Sequence, residues 1–332
     1  MDNFEIISII GEGSFGSVSK AKNIKTNEIV AIKKMKKKYF SWEECLNLRE
    51  VSSLMKLKEH ENIIKLKEII LDKDILYLIF EYMEMNLLEL LNSSQDQKKL
   101  TEDQIRAIIK QTLQGVAYMH KYGFFHRDFK PENLLINGEE VKIADFGLAR
   151  EVRSLPPYTD YVATRWYRAP EILLRSTYYN SPVDIWAIGT LMAELYNNNP
   201  LFPGSSDKDQ VIKICSVLGS QNLLNWEEGK QLLKKIDLKI PNLNEVPLQN
   251  IIINASADAL DLMSLMLQWD PNKRETAQYL LNHPFFVRFD NNLKCRLVTP
   301  EIMKSNILHD KKGRKFSAIE DSSAFEDCNI IY

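Results

Sequence analysis

Near residue 84 the hydrophobic periodicity of the chain changes, and few folds accommodate that change. Before it, residues 4–10, 17–20, 29–32 and 75–80 are short apolar or alternating runs, which predict strands. One helix is expected among them. Ser41 followed by Glu44 reads as a capping box, and Cys45, Leu48, Leu54, Met55 and Leu57 carry the apolar face. Beyond residue 84 the pattern is helical. Thr101 and Gln104 form a second capping box ahead of Ile105, Ile108, Ile109, Thr112, Leu113 and Val116. Ser181, Pro182 and Asp184 open another helix, apolar nearly all round through Ile185, Trp186, Ile188, Leu191, Met192 and Leu195, as a buried central helix would be. Residues 257–268 are amphipathic, and the pattern weakens from about Asn291. The expectation is an α+β chain: a strand-rich lobe over 1–83, a larger helical lobe over 84–290 and a tail over 291–332.

Composition removes several classes of function. At 332 residues the chain exceeds one average domain, so a two-lobed body is expected. Forty-three Lys and Arg against 45 Asp and Glu leave a formal net charge of -2, so no global basic field recruits nucleic acid or lipid. No apolar run reaches membrane-spanning length, and the acidic start Met1-Asp2 does not resemble a signal peptide. Cys45, Cys215, Cys295 and Cys328 are isolated, which argues against a disulfide framework or zinc site and for a reducing compartment.

Five motifs stand out. Gly11-Glu12-Gly13-Ser14-Phe15-Gly16-Ser17-Val18 fits G-x-G-x-x-G-x-V, where glycines let backbone N–H groups approach phosphates. Alone it is weak, because dinucleotide folds and plain hairpins use similar runs. A dinucleotide turn must open a helix, whereas Ser17 to Lys20 reads as strand. Lys33 ends the apolar run Val30-Ala31-Ile32, followed by Lys34, Lys36, Lys37 and Lys38, which read as a solvated loop, with a nuclear import signal as the alternative. Glu50 lies four residues from both Leu46 and Leu54, on the apolar side of its helix. A carboxylate facing a lobe interior needs a cation, and Lys33 is the candidate. The third motif, His126-Arg127-Asp128-Phe129-Lys130-Pro131-Glu132-Asn133, fits H-R-D-x-x-x-x-N. Asp145-Phe146-Gly147 and Ala169-Pro170-Glu171 follow in order.

The ordered set resembles the eukaryotic protein kinases across roughly residues 4–286. The resemblance implies the bilobal protein kinase fold, with a small antiparallel β-sheet lobe holding one helix and a larger helical lobe, and it implies ATP and Mg²⁺ as cofactors. Asp128 would orient the substrate hydroxyl and accept its proton, and Lys130 would steady the γ-phosphate. Asn133 and Asp145 would hold Mg²⁺, and Lys33, held by Glu50, would grip the α- and β-phosphates. Ile10, the Gly11–Gly16 turn, Val18, Ala31 and Leu135 would enclose ATP. Phe80 occupies the gatekeeper position ahead of the hinge Glu81-Tyr82-Met83, whose backbone would bond adenine. Lys130 and Thr164 match the serine/threonine pattern. Phe129 stands where leucine is commoner and keeps the site apolar. Glu171 with Arg274 is expected as a buried ion pair, and Asp184 as the anchor of the catalytic-loop backbone.

Leu48-Arg49-Glu50, Ala163 to Glu171 and an insert over residues 197–255 resemble the CMGC group of cyclin-dependent, mitogen-activated and related kinases. Within it, Ser41-Trp42-Glu43-Glu44 and Thr159-Asp160-Tyr161 are similar to the RCK family of male germ cell-associated and intestinal cell kinases. A mitogen-activated branch, which shares the Thr-x-Tyr layout, is the alternative, and a nucleotide-binding pseudokinase scaffold is the alternative of a different class. The resemblance further implies phosphorylation at Thr159 and Tyr161. Arg49, Arg127 and Arg150 would converge on the first phosphate, and Arg165 and Arg168 would hold the second. Expected partners are proteins with Ser/Thr-Pro sites and an upstream activating kinase, with no nucleic acid and no membrane. A monomer is expected, in the cytoplasm, with nucleus and cilium as alternatives.

Overall fold

A computed structural model describes residues 1–13, 16–57, 59–94, 99–151, 165–287 and 297. Five antiparallel strands open the chain: β1 Phe4–Glu12, β2 Gly16–Asn23, β3 Ile29–Lys38, β4 Leu66–Asp72 and β5 Ile75–Glu81, in the order β1-β2-β3-β5-β4. Lys73 and Asp74 join β4 to β5 with φ of 50° and 64°, the paired left-handed geometry that suits the twist of a tight hairpin. Strand β4 is an addition to the sequence reading, since its Lys67-Glu68-Ile69-Ile70 run does not alternate cleanly.

The pairing register sorts side chains between the two sheet faces. Val18 pairs with Lys33, Lys20 with Ala31, and Ala31 with Phe80, so Val18, Ala31, Lys33 and Phe80 share one face. Ala21, Val30, Ile32 and Ile79 take the other and form a small core of their own. The basic run after Lys33 belongs to β3, which continues to Lys38. Lys34, Lys36, Lys37 and Lys38 are solvated as expected, but on a strand and not in a loop.

The expected single helix is broken in two: α1 Trp42–Leu46 and α2 Arg49–Leu57. Asn47, a weak helix former, closes α1, and Leu48 N–H turns back to Cys45 O at 3.3 Å. The Ser41 capping box is half-formed. Its hydroxyl accepts from Glu44 N–H, but the Glu44 carboxylate accepts from Phe40 N–H and Lys37 instead. The break rotates the apolar face, leaving Leu46 and Met55 exposed and burying Val51, Leu54 and Leu57 beside Glu50.

The second lobe is helical. After β6 Met85–Asn86 and α3 Leu87–Ser94, α4 Glu102–Lys121 starts at Thr101, whose box with Gln104 is complete in both directions. Two short antiparallel pieces follow: the hairpin β8 Leu134–Asn137 with β9 Glu140–Ile143, and β7 Phe124–Phe125 paired with β10 Arg150–Glu151. After α5 Pro170–Leu173 comes α6 Pro182–Asn197, buried from Val183 to Tyr196 as its all-round apolar pattern requires. Its Trp186 stacks on Phe202, and helix α7 Asp207–Leu218 lies beyond. The predicted helix at residues 257–268 runs Ala257–Met266. From the tail, Leu297 is buried and donates its N–H to Gly138 O at 3.0 Å. Among the described residues no helix is long and apolar enough to cross a membrane.

Candidate active site

The site lies where the β-sheet face carrying Lys33 meets the loops after β7 and β9. Lys33 Nζ donates to both Glu50 oxygens, at 2.8 and 2.7 Å, and stands 3.9 Å from Asp145 Oδ1. Burial alone would depress the Lys33 amine. The Glu50 carboxylate, and then Asp145, outweigh it and hold the amine above its ordinary value, so it stays cationic. The expected pair therefore forms, although Glu50 shares its face with Leu54 and not with the exposed Leu46.

The loop after β7 is built around an anchor. Asp184, 1% exposed in α6, accepts from His126 N–H and Arg127 N–H, each at 2.8 Å, and meets His120 Nε2 at 2.9 Å. These bonds hold Arg127 at φ 75°, a left-handed conformation that costs a non-glycine residue about 1–2 kcal/mol. His126 Nδ1 accepts from Asp128 N–H and its Nε2 faces Ala144 O, which assigns the proton to Nε2. One ring thus couples the Asp128 loop to the residue preceding Asp145. Phe129 packs on that ring, 2% exposed, and keeps the apolar role expected of it.

Asp128, Lys130 and Asn133 come together. Lys130 Nζ is 3.0 Å from Asp128 Oδ2, and Asn133 Nδ2 donates to Asp128 O at 2.8 Å and to Oδ2 at 3.0 Å. With the amide nitrogen so committed, the Asn133 oxygen is the atom left to face a cation. The Asp145 carboxylate is more than a third exposed. An amide oxygen and a carboxylate are the hard donors that Mg²⁺ takes, so these residues fit that ion. Asp145 itself has φ 62°, with Oδ1 accepting from Gly147 N–H.

Val18 and Ala31, on the sheet face of Lys33, are half-buried, as is Leu135 in β8, and Ile10 is exposed. Phe80 and Met83 are buried. The glycines divide in role. A Cβ on Gly16 would lie 2.1 Å from Lys34 O, so that glycine serves the close approach of β2 to β3. Among the described residues, Cβ atoms on Gly11 and Gly13 would meet only ordinary contacts near 4 Å, and Glu12 beside them is exposed. Glu81 accepts from Lys65 N–H at 2.8 Å and from Lys142 at 3.1 Å, tying the hinge to both lobes.

The arginines separate into two groups. Arg150 lies in β10 opposite Phe125, Arg127 follows β7 with its guanidinium over Tyr179, and Arg49 stands exposed in the first turn of α2. Arg165 and Arg168 both reach Asp207 Oδ1 at 3.3 Å. Asp207 was not legible, because its partners lie about forty positions away and only the Ser206 cap marks its helix. Ser14, Phe15, Thr159, Tyr161 and Thr164 lie outside the described residues.

Tyr167, in the turn ahead of α5, and Glu194 of α6 form a buried pair. Burial pushes the Glu194 carboxyl up to about 7 against the hydrogen bond from Tyr167, and Glu132 adds to the rise. A carboxyl raised in the folded state binds a proton that the unfolded chain has released. Its contribution is intact below about pH 4.5 and is lost as pH climbs toward 7, after which the cost is constant. The cost amounts to about 3 kcal/mol. Glu194→Gln should therefore stabilise the chain at alkaline pH and flatten this segment of the curve, read by urea unfolding at a series of pH values. An unchanged slope would remove the assignment.

Comparison with known proteins agrees with this geometry. Residues 4–286 match the protein kinase domain family. The chain is 55% identical over 288 residues to rat serine/threonine-protein kinase MAK, covering 86% of this chain and 46% of the relative. It is 55% identical to mouse serine/threonine-protein kinase ICK, covering 86% and 45%, and 50% identical to rice cyclin-dependent kinase F-4, covering 86% and 62%. The chain thus spans about half the length of the MAK and ICK relatives it matches. A small antiparallel sheet lobe, a helical lobe, the Lys33–Glu50 pair and the Asp128 loop between them, together with the match over residues 4–286, place the chain in the protein kinase family.

Proposed function

We propose that the chain transfers the γ-phosphate of ATP to serine and threonine hydroxyls of proteins, with proline preferred after the target and with phosphorylation at Thr159 and Tyr161 as its switch. The observation that carries the reading is the meeting of two charged groups of residues, Lys33 with Glu50 and Asp145, and Asp128 with Lys130 and Asn133. Phosphoryl transfer needs positioning and charge neutralisation more than covalent help. Mg²⁺, when bound, supplies charge neutralisation at the phosphate oxygens. Lys33 binds the α- and β-phosphates, Lys130 steadies the γ-phosphate, and Asp128 accepts the proton of the attacking hydroxyl. Ile10, Val18, Ala31 and Leu135 exclude water from the adenine, whose edge bonds the hinge backbone. Arg49, Arg127 and Arg150 gather on the Thr159 phosphate, whose charge of about −2 orders the loop.

Two peptides differing only in proline or alanine after the serine test this reading, assayed with wild type and Thr159→Ala. The proline peptide should have a kcat/KM at least about ten-fold higher, the scale on which one apolar group discriminates. Thr159→Ala should lower kcat on both. Equal use of the peptides would remove the proline preference, and full activity of Thr159→Ala would remove the arginine cluster.

A further inference from the structure

The turn Arg165–Tyr167 is fastened to the start of α7 by a continuous set of bonds. Arg165 Nε and Arg168 Nη1 donate to Asp207 Oδ1, both at 3.3 Å, and Arg165 Nη1 donates to Ser205 O at 3.3 Å. Trp166 Nε1 donates to Gly204 O at 3.2 Å. Gln210, wholly buried, donates to Trp166 O at 3.3 Å and accepts from Gly204 N–H at 2.9 Å. A Cβ on Gly204 would lie 2.5 Å from Gln210 Cα, so the close approach of the two segments is part of the design. The same turn faces the catalytic loop. Arg168, Tyr167, Arg127 and Asp128 line a shared cavity of about 20 Å³, room for one water.

A carboxylate between two guanidiniums provides the charge and the acceptor that a phosphate would bring, though with one negative charge and not two. We propose that Asp207 is a positioning residue for the protein substrate: its carboxylate holds Arg165 and Arg168 so that the floor beneath the residue after the target is formed without phosphate on Tyr161. Phosphate at Tyr161 then adds to a floor already built, and becomes necessary only when Asp207 is lost. The inference rests on the kinase reading above and deepens its regulation. It departs from the expectation that Arg165 and Arg168 await the Tyr161 phosphate. At 3.3 Å and with Asp207 41% exposed, the ion pairs contribute little to global stability. Their effect falls on the placement of the turn, where a displacement of about 1 Å is costly.

The test combines Asp207→Ala and Asp207→Glu with native Tyr161 or Tyr161→Phe, in the full chain. Turnover is measured on a Ser-Pro peptide, and affinity for that peptide, fluorescently labelled, by anisotropy. Asp207→Ala should raise the peptide KM and Kd on the order of ten-fold while the KM for ATP stays within about two-fold. Asp207→Glu should recover most of the loss. Tyr161→Phe alone should cost about three-fold, and in the Asp207→Ala background more than about thirty-fold. A native peptide KM in Asp207→Ala, or a KM for ATP that rises in parallel, overturns the proposal. If the wild type transfers no phosphate, the kinase reading fails by itself. The peptide Kd must still weaken in Asp207→Ala, and an unchanged Kd overturns this inference.

Discussion

Replacing Asp145 by asparagine is expected to lower phosphate transfer by about a hundred-fold or more, the usual cost of one pre-placed electrostatic contact, while thermal unfolding stays near that of the wild type. The choice of asparagine follows from the backbone. Asp145 sits at φ 62°, where asparagine is tolerated and alanine is strained, and its oxygen accepts from Gly147 N–H. Asparagine keeps both features and removes only the charge. That charge stands 3.9 Å from Lys33 Nζ and would help hold Mg²⁺. Lys33→Met should have a similar kinetic effect but a structural one too, because it strands the buried Glu50 carboxylate. Near-native turnover by Asp145→Asn would remove Asp145 from the chemistry.

The largest effect on stability is expected at Arg274. Its Nη1 and Nη2 each meet a Glu171 oxygen at 2.7 Å, and the remaining N–H groups donate to Gln268 O, Pro182 O and Trp269 O. Five donors find five bonds, with the guanidinium also over Trp186. The pair is sealed from water, at 0% and 2% side-chain exposure. Arg274→Met leaves the Glu171 carboxylate buried and alone, a change that costs roughly 3–5 kcal/mol. Urea unfolding should show that loss, and Arg274→Met combined with Glu171→Leu should cost less than the two single changes added together. A loss below about 1 kcal/mol would mean that the pair is not sealed as described.

Both residues of that pair were legible from the chain, and so were the anchoring role of Asp184 and the union of Lys33 with Glu50. For Lys33 and Glu50 the signal was a carboxylate on the apolar side of a helix, since burial of a charge demands a partner, whereas the Arg274–Glu171 pair and the Asp184 anchor followed from the resemblance to the protein kinases. The division into a strand lobe and a helical lobe was legible for a similar reason, since periodicities of 2 and 3.6 are written locally. What escaped was set by contacts between distant segments. The α1–α2 break falls at Asn47, where Leu48 N–H turns back to Cys45 O, and the Glu44 carboxylate takes Phe40 N–H and Lys37 in place of its own cap. The requirement for Gly16 comes from Lys34 O on the next strand, and the partners of Asp207 come from the opposite side of α5 in sequence. The raised carboxyl of Glu194 arises in a helix whose neighbours in sequence are all apolar or small, so its partner Tyr167 is visible only in three dimensions. Strand β4 has no clean alternation because its residues are exposed or half-buried along their length.

The most direct measurement is transfer of labelled γ-phosphate from ATP to a Ser-Pro peptide by the purified chain. Nucleotide binding is measured in the same sample, with Asp128→Asn as the blank. The expected result is label on the peptide with wild type, its near absence with Asp128→Asn, and nucleotide binding retained in both. Nucleotide binding by the phosphorylated wild type without any transfer of label to protein or peptide would contradict the kinase reading and leave a binding scaffold in its place.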